Sequence, residues 1–131
     1  MNLKLENPDT VAAPLGRYSH AVEVPAGSSL VFISGQVPVN PATNQVELGD
    51  IRHETRLVLT NIQRILEGCG ASLADVVKCS VFLADGRDFG AMNEVYAEFF
   101  GAQKPARTTV ACQFALPGLK VEIDCIAYHP Q

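Results

Sequence analysis

Lys104-Pro105-Ala106-Arg107-Thr108-Thr109-Val110, followed by Val121-Glu122-Ile123-Asp124, decides how this chain is read. β-branched residues just after a proline predict a strand, with Arg107 at its mouth. The second run alternates apolar and acidic side chains, the period of a strand with one buried face. Arginine is always charged, and its planar fork grips a carboxylate through two parallel hydrogen bonds. With Glu122 expected within reach on an adjacent strand, the two suggest a site for a small anionic substrate. The same spacing also suits an ordinary Arg–Glu pair at a strand end.

Working outward, Ser19 to Val24 reads as a strand closed by the turn Pro25-Ala26-Gly27-Ser28. Ser29 to Ser34 is apolar for most of its length and is expected to be buried on both faces. Gln36 to Val39 continues extended as far as the turn Asn40–Asn44. Residues 1–15 are expected to be an irregular lead-in. Asp50 opens a helix with Ile51, Thr55, Val58, Ile62, Ile65, Leu66 and Cys69 on its apolar face. Arg52, Glu54, Arg56, Gln63, Arg64 and Glu67 fall on the polar face, and Gly68 or Gly70 ends the helix. Val76 to Ala84 is a strand. Asp88 is expected to cap a second helix, ended by Gly101, whose stripe Phe89, Met92, Val95, Tyr96, Phe99 and Phe100 reads as core. Thr108 to Phe114 and Leu119 to Tyr128 are the last strands. This order predicts an α+β sandwich with both helices on one sheet face. An apolar opposite face would then need a partner.

With 131 residues the chain is expected to be one domain, 1–131, and a hydrophobic fraction of 47% supplies a core. A net charge of −4 with scattered basic residues argues against a general nucleic-acid or membrane-surface binder. Met1 to Asp9 is polar and charged, so no signal-peptide core is expected there, and no apolar run approaches membrane-spanning length. Cys69, Cys79, Cys112 and Cys125 lack zinc or redox spacing and read as small core residues in a reducing compartment. Together these features predict a cytoplasmic protein without a metal.

The ordered motifs identify a resemblance. They are Gly16-Arg17-Tyr18-Ser19-His20-Ala21, Ser34-Gly35-Gln36-Val37-Pro38, Asn61-Ile62, Asp75-Val76-Val77-Lys78, Asn93 with Tyr96 and Phe99-Phe100, the Pro105–Val110 block, Leu116-Pro117 and Val121-Glu122-Ile123-Asp124. The chain resembles the reactive intermediate deaminase family, Rid or YjgF, over nearly its whole length. The resemblance implies a six-stranded mixed sheet with two helices on one face, chorismate-mutase-like, assembled as a homotrimer with active sites between subunits. It implies hydrolysis of enamines and imines such as 2-aminoacrylate and 2-aminocrotonate, giving 2-oxo acids and ammonia. No cofactor is expected, because the pyridoxal phosphate belongs to the dehydratase upstream.

By the same resemblance Arg107 binds the substrate carboxylate, and Glu122 hydrogen-bonds the attacking water or the departing nitrogen. Tyr18 walls the pocket, Ser34 and Gly35 form its floor, Asn93 lies near the cleft, and Thr109 stands where the family often has Cys. Asp124 is read as structural, and a cap-like role also suits Asn93. Arg17 replaces the family's usual Pro, which leaves open a larger dicarboxylic substrate of the aminomuconate kind. His20, His53 and His129 are scattered, which weakens an endoribonuclease reading. A non-catalytic trimer that binds 2-oxo acids or acts as a holdase remains the alternative of a different class.

Overall fold

The computed structural model describes residues 3–130. In order these form β1 (Lys4–Glu6), β2 (Ala21–Glu23), β3 (Ser29–Gln36), β4 (Val39–Asn40), β5 (Gln45–Val46), α1 (Ile51–Gly68), β6 (Val76–Leu83), α2 (Phe89–Phe100), β7 (Ala106–Ala111) and β8 (Val121–His129). The main sheet has the order β3-β8-β6-β7. β8 lies antiparallel between β3 and β6, while β6 and β7 run parallel. A parallel pair needs a crossover, and α2 supplies it.

α1 forms where the apolar period predicts it. The Asp50 carboxylate accepts a hydrogen bond from the His53 N–H at 2.8 Å, satisfying one of the helix's orphan donors. Gly70, with φ at 78°, takes the left-handed turn that leads away from its end. α1 buries Val58, Leu59, Ile62 and Leu66 against Val81, Ile123 and Cys125 of the sheet, alongside Met92 and Val95 of α2. The two helices lie side by side on this face. Arg52 pairs with Glu94 and Arg56 with Glu98, so the two helices run in the same direction.

Glu54 departs from the expected polar face. It is completely buried, and its carboxylate accepts from the backbone N–H groups of Gly49 at 3.1 Å and Lys120 at 2.9 Å. Lys120 Nζ approaches it at 3.5 Å. A buried carboxylate is tolerable only when so partnered. These bonds fasten α1 to the residue that leads into β8.

α2 also starts differently from the expectation. The Asp88 side chain makes no capping bond. Asp85 instead accepts from Arg87 N at 2.9 Å and caps a 3-10 turn, Gly86–Asp88, that runs straight into the helix. Gly101 ends α2 as predicted, with φ at 58° and its N–H donating to Ala97 O at 2.8 Å.

The expected six-stranded sheet is divided. Four strands make the main sheet, while β1–β2 and β4–β5 are separate two-stranded ribbons. Pro38 interrupts the run after Gln36, since it has no N–H to give a ladder. The lead-in is not wholly irregular, because β1 pairs with β2 through Leu5 opposite Val22, and Lys4 sits near Glu6 and Glu23. β3 is not buried on both faces. Ile33 points into the core, but Leu30 is 48% exposed and Phe32 72% exposed. Helices cover only one side of this antiparallel edge strand, so its other apolar row is left bare. Of the four cysteines, Cys79 and Cys125 are core residues as expected. Cys69 is exposed at the end of α1 and Cys112 is half-buried just past β7, where the sheet no longer covers them.

Candidate functional site

Arg107 owes its direction to strand register. Its neighbour across the parallel ladder is Cys79, whose neighbour on the other side is Cys125. Cross-strand partners point to the same face, and both cysteines are buried under the helices. Arg107 therefore faces α2. There it meets Phe89, Asn93 and Tyr96, spaced four and three residues apart on one helix stripe. Its Nη1 donates to Asn93 Oδ1 at 2.7 Å. Its Cζ lies 4.7 Å from the Tyr96 ring centroid and 5.6 Å from that of Phe89. Asn93 thus does not serve as a cap.

Gly16 and Tyr18 lie beside the guanidinium. A Cβ on Gly16 would stand 3.8 Å from Arg107 Nη2. This loop is pinned to the entrance of β7 by Ser19, whose Oγ donates to Lys104 O at 2.5 Å and whose N–H donates to Pro105 O at 3.3 Å. The Tyr18 hydroxyl accepts from Leu15 N at 3.2 Å. Leu15, Tyr18, Phe89, Arg107 and Thr109 line a cavity of about 250 Å³. Thr109 Oγ1 is buried and has no hydrogen-bond partner among the described residues.

The electrostatics of this cavity favour an anion. Burial holds Arg107 below its usual basicity, and the positive charge of Arg17 adds to the effect. An arginine nevertheless stays protonated in a protein. Burial pushes the Cys79 thiol up to about 12 and raises the Tyr96 hydroxyl as well, so both stay neutral beside it. Among the described residues the hydrogen-bond acceptor of Arg107 is a neutral amide, not a carboxylate. A half-buried cation in that setting is stabilised by any anion that enters. Arg17 reaches away, its Nη1 donating to Gly101 O at 3.4 Å at the negative end of α2.

Glu122 lies elsewhere. Its flanking residues Val121 and Ile123 are fully buried in the core, so Glu122 leaves the opposite face of β8. Its cross-strand neighbour is Phe82, whose other neighbour is Val110. Ser34 and Gly35 sit at an irregularity of β3 between Ile33 and Gln36, on this same side. A Cβ on Gly35 would overlap the Glu122 carboxylate, standing 3.0 Å from its Cδ. Glu122, Phe82, Val110, Cys112 and Phe114 line a second cavity of about 350 Å³.

The residues singled out in the sequence thus form two groups. Arg107, Tyr18, Asn93 and Thr109 gather on the helix side of the edge strand β7. Glu122, Ser34 and Gly35 gather on the bare face. β7 and β8 are not neighbours, since β6 separates them. The expectation that Glu122 reaches Arg107 from an adjacent strand is wrong within one chain, and so is the reading of an ordinary Arg–Glu pair. Adjacency in sequence pattern did not reveal the intervening strand.

The sequence does not single out Phe89, Tyr96 or Ser19 for the site, although the spacing of four and three with Asn93 is visible in it. Tyr96 is a core residue as expected, whereas Phe89 is 42% exposed. Ser19 carried no signal beyond its place after Tyr18. The histidines lie apart: His53 bonds Glu47 at 2.6 Å, His129 bonds Pro130 O at 3.1 Å, and His20 lies 6.2 Å from the Tyr18 ring. Among the described residues no group of His, Cys, Asp and Glu could hold a metal, and no helix is long and apolar enough to cross a membrane.

Comparison with known proteins bears on this arrangement. The family model described as Endoribonuclease L-PSP matches residues 9–129. A RutC family protein of Pyrococcus horikoshii is 50% identical over 115 residues, 88% of this chain and 89% of the relative. A 2-iminobutanoate/2-iminopropanoate deaminase of Dermatophagoides farinae is 40% identical over 113 residues, 86% of each. The crystal structure of YyfB from Yersinia pestis, described as a protein of unknown function of the conserved Rid family, is similar with a TM-score of 0.84. It is 32% identical, and the match covers 97% of this chain and 98% of that one.

Proposed function

Since the chain belongs to the Rid (YjgF) family, we propose that it hydrolyses reactive 2-imino acids and their enamine tautomers, such as 2-aminoacrylate and 2-aminocrotonate, to 2-oxo acids and ammonia. The observation that carries this reading is Arg107. It is a half-buried cation, oriented by a neutral amide and two rings, with no carboxylate of its own among the described residues. Such a group suits the carboxylate of a small acid.

The chemistry then needs a base and an ordered water. The water oxygen bonds to C2 of the iminium as the C=N pair moves to nitrogen, and Glu122 takes the released proton. Glu122 returns that proton to the nitrogen. The C–N bond breaks, ammonia leaves with the electron pair, and the hydroxyl collapses to the ketone with loss of its proton. An enamine joins the same path once C3 has been protonated. The Thr109 hydroxyl is free to hydrogen-bond the substrate beside Arg107, and the reaction requires no cofactor.

One substrate must reach both groups, and in a single chain they lie on opposite faces of the sheet. The proposal therefore includes a second copy. A homotrimer in which the open edge of β7 of one copy lies along the bare sheet face of the next would bring Arg107 of the first toward Glu122 of the second. The exposed row Leu30, Phe32 and Val110 supports association through that face.

A coupled assay tests the reading. A threonine or serine dehydratase generates the enamine, and its disappearance is followed with and without this protein. Faster loss with the protein is expected; an unchanged rate overturns the enzyme reading. Gly35→Ala supplies a further check. The added methyl displaces the end of a flexible side chain, so the melting temperature should move little. The Glu122 carboxylate loses its place, however, and kcat should fall roughly a hundredfold, the scale for a reacting group misplaced by about 1 Å.

A further inference from the structure

The ring of Phe89 is 42% exposed at the start of α2, an unusual setting for a phenylalanine that the core does not need. It lies over the Arg107 guanidinium, and the buried Tyr96 ring lies over the same group two turns on. We propose that Phe89 and Tyr96 are positioning residues. Their ring faces hold the plane of the Arg107 guanidinium, while Asn93 fixes one edge and leaves the other edge free for the substrate carboxylate. This inference rests on the carboxylate-binding reading of Arg107.

The geometry divides the work without conflict. A guanidinium accepts aromatic rings on its faces and donates hydrogen bonds only in its plane. Nη1 is committed to Asn93. The Nη2 side faces Gly16, whose Cβ, if present, would stand 3.8 Å away in ordinary contact. The rings' negative faces also offset the nearby positive charge of Arg17, which otherwise opposes holding a second cation here. A flexible arginine stem loses rotamer freedom when it binds; one already held between ring and amide loses less, so the ligand is met by a preformed fork.

The three side chains belong to one helix stripe, so α2 acts as a single bracket for one residue of β7. Phe89 discriminates this role from packing. It is exposed enough that its replacement leaves the core intact, and leucine conserves apolar bulk but has no ring face.

The test measures binding of 2-oxobutanoate, the stable product of 2-aminocrotonate hydrolysis, by calorimetry, together with kcat and KM in the coupled assay. Phe89→Leu should weaken 2-oxobutanoate by about three- to tenfold and raise KM similarly, with kcat less affected. Phe89→Tyr should restore both, because the ring face returns. Thermal melts of the two variants should match the wild type. Equal affinity in Phe89→Leu and wild type overturns the bracket alone. Failure of Phe89→Tyr to recover what Phe89→Leu loses also overturns it. Absence of 2-oxobutanoate binding to the wild type overturns the carboxylate reading of Arg107, and the bracket with it.

Discussion

Arg107→Ala is expected to lose about 30- to several-thousand-fold in kcat/KM for 2-imino acids, corresponding to about 2–5 kcal/mol for truncating one partner of a desolvated charge pair. The guanidinium is half-buried, its Nη1 is held by Asn93 at 2.7 Å, and its Cζ lies over the Tyr96 and Phe89 rings. In the proposed function the remaining donors are left for the substrate carboxylate. Arg107→Lys should fail nearly as badly, since an ammonium keeps the charge but cannot reproduce the planar, two-pronged contact or lie flat against the rings. Steady-state kinetics on well-folded variants decide this. Full activity in Arg107→Lys would remove Arg107 from the role assigned to it.

Glu122→Gln should produce the opposite division. The amide keeps the size of the side chain and its place over Gly35, but it cannot take a proton from water. A fall of about 10²- to 10⁴-fold in kcat is expected, the range for loss of a general base. Binding of 2-oxobutanoate should be nearly unchanged, because the proposed carboxylate contact belongs to Arg107. Calorimetry beside kinetics separates the two variants: one loses affinity and rate, the other rate alone. A Glu122→Gln protein with normal kcat would show that another group moves the proton.

Much of this arrangement was legible before the structure. The period of residues 51–66 and the Asp50 cap located α1, and Gly101 located the end of α2, because local chemistry settles both. The alternation around Glu122 showed that it leaves the core. What the sequence could not express was long-range pairing. Nothing in Val76–Leu83 says that it lies between the strands of Arg107 and Glu122, so the two groups were placed side by side. The same limitation hid Glu54, whose charge marks a solvated face unless a distant Lys120 N–H is waiting for it. The bare side of β3 was missed because an apolar run looks the same whether helices cover both faces or one. That side and the separation of Arg107 from Glu122 together motivate the proposed shared cleft.

Mixing the two inactive variants tests the shared cleft most directly. Arg107→Ala and Glu122→Gln chains are unfolded together in equal amounts, refolded, and assayed for imine hydrolysis, with mixed assemblies verified by mass. If each cleft takes Arg107 from one copy and Glu122 from its neighbour, random assembly rebuilds about a quarter of the clefts with both groups intact. The account predicts recovery of about a quarter of wild-type activity from two proteins that have almost none alone. Mixed assemblies that remain as inactive as their parents would contradict it.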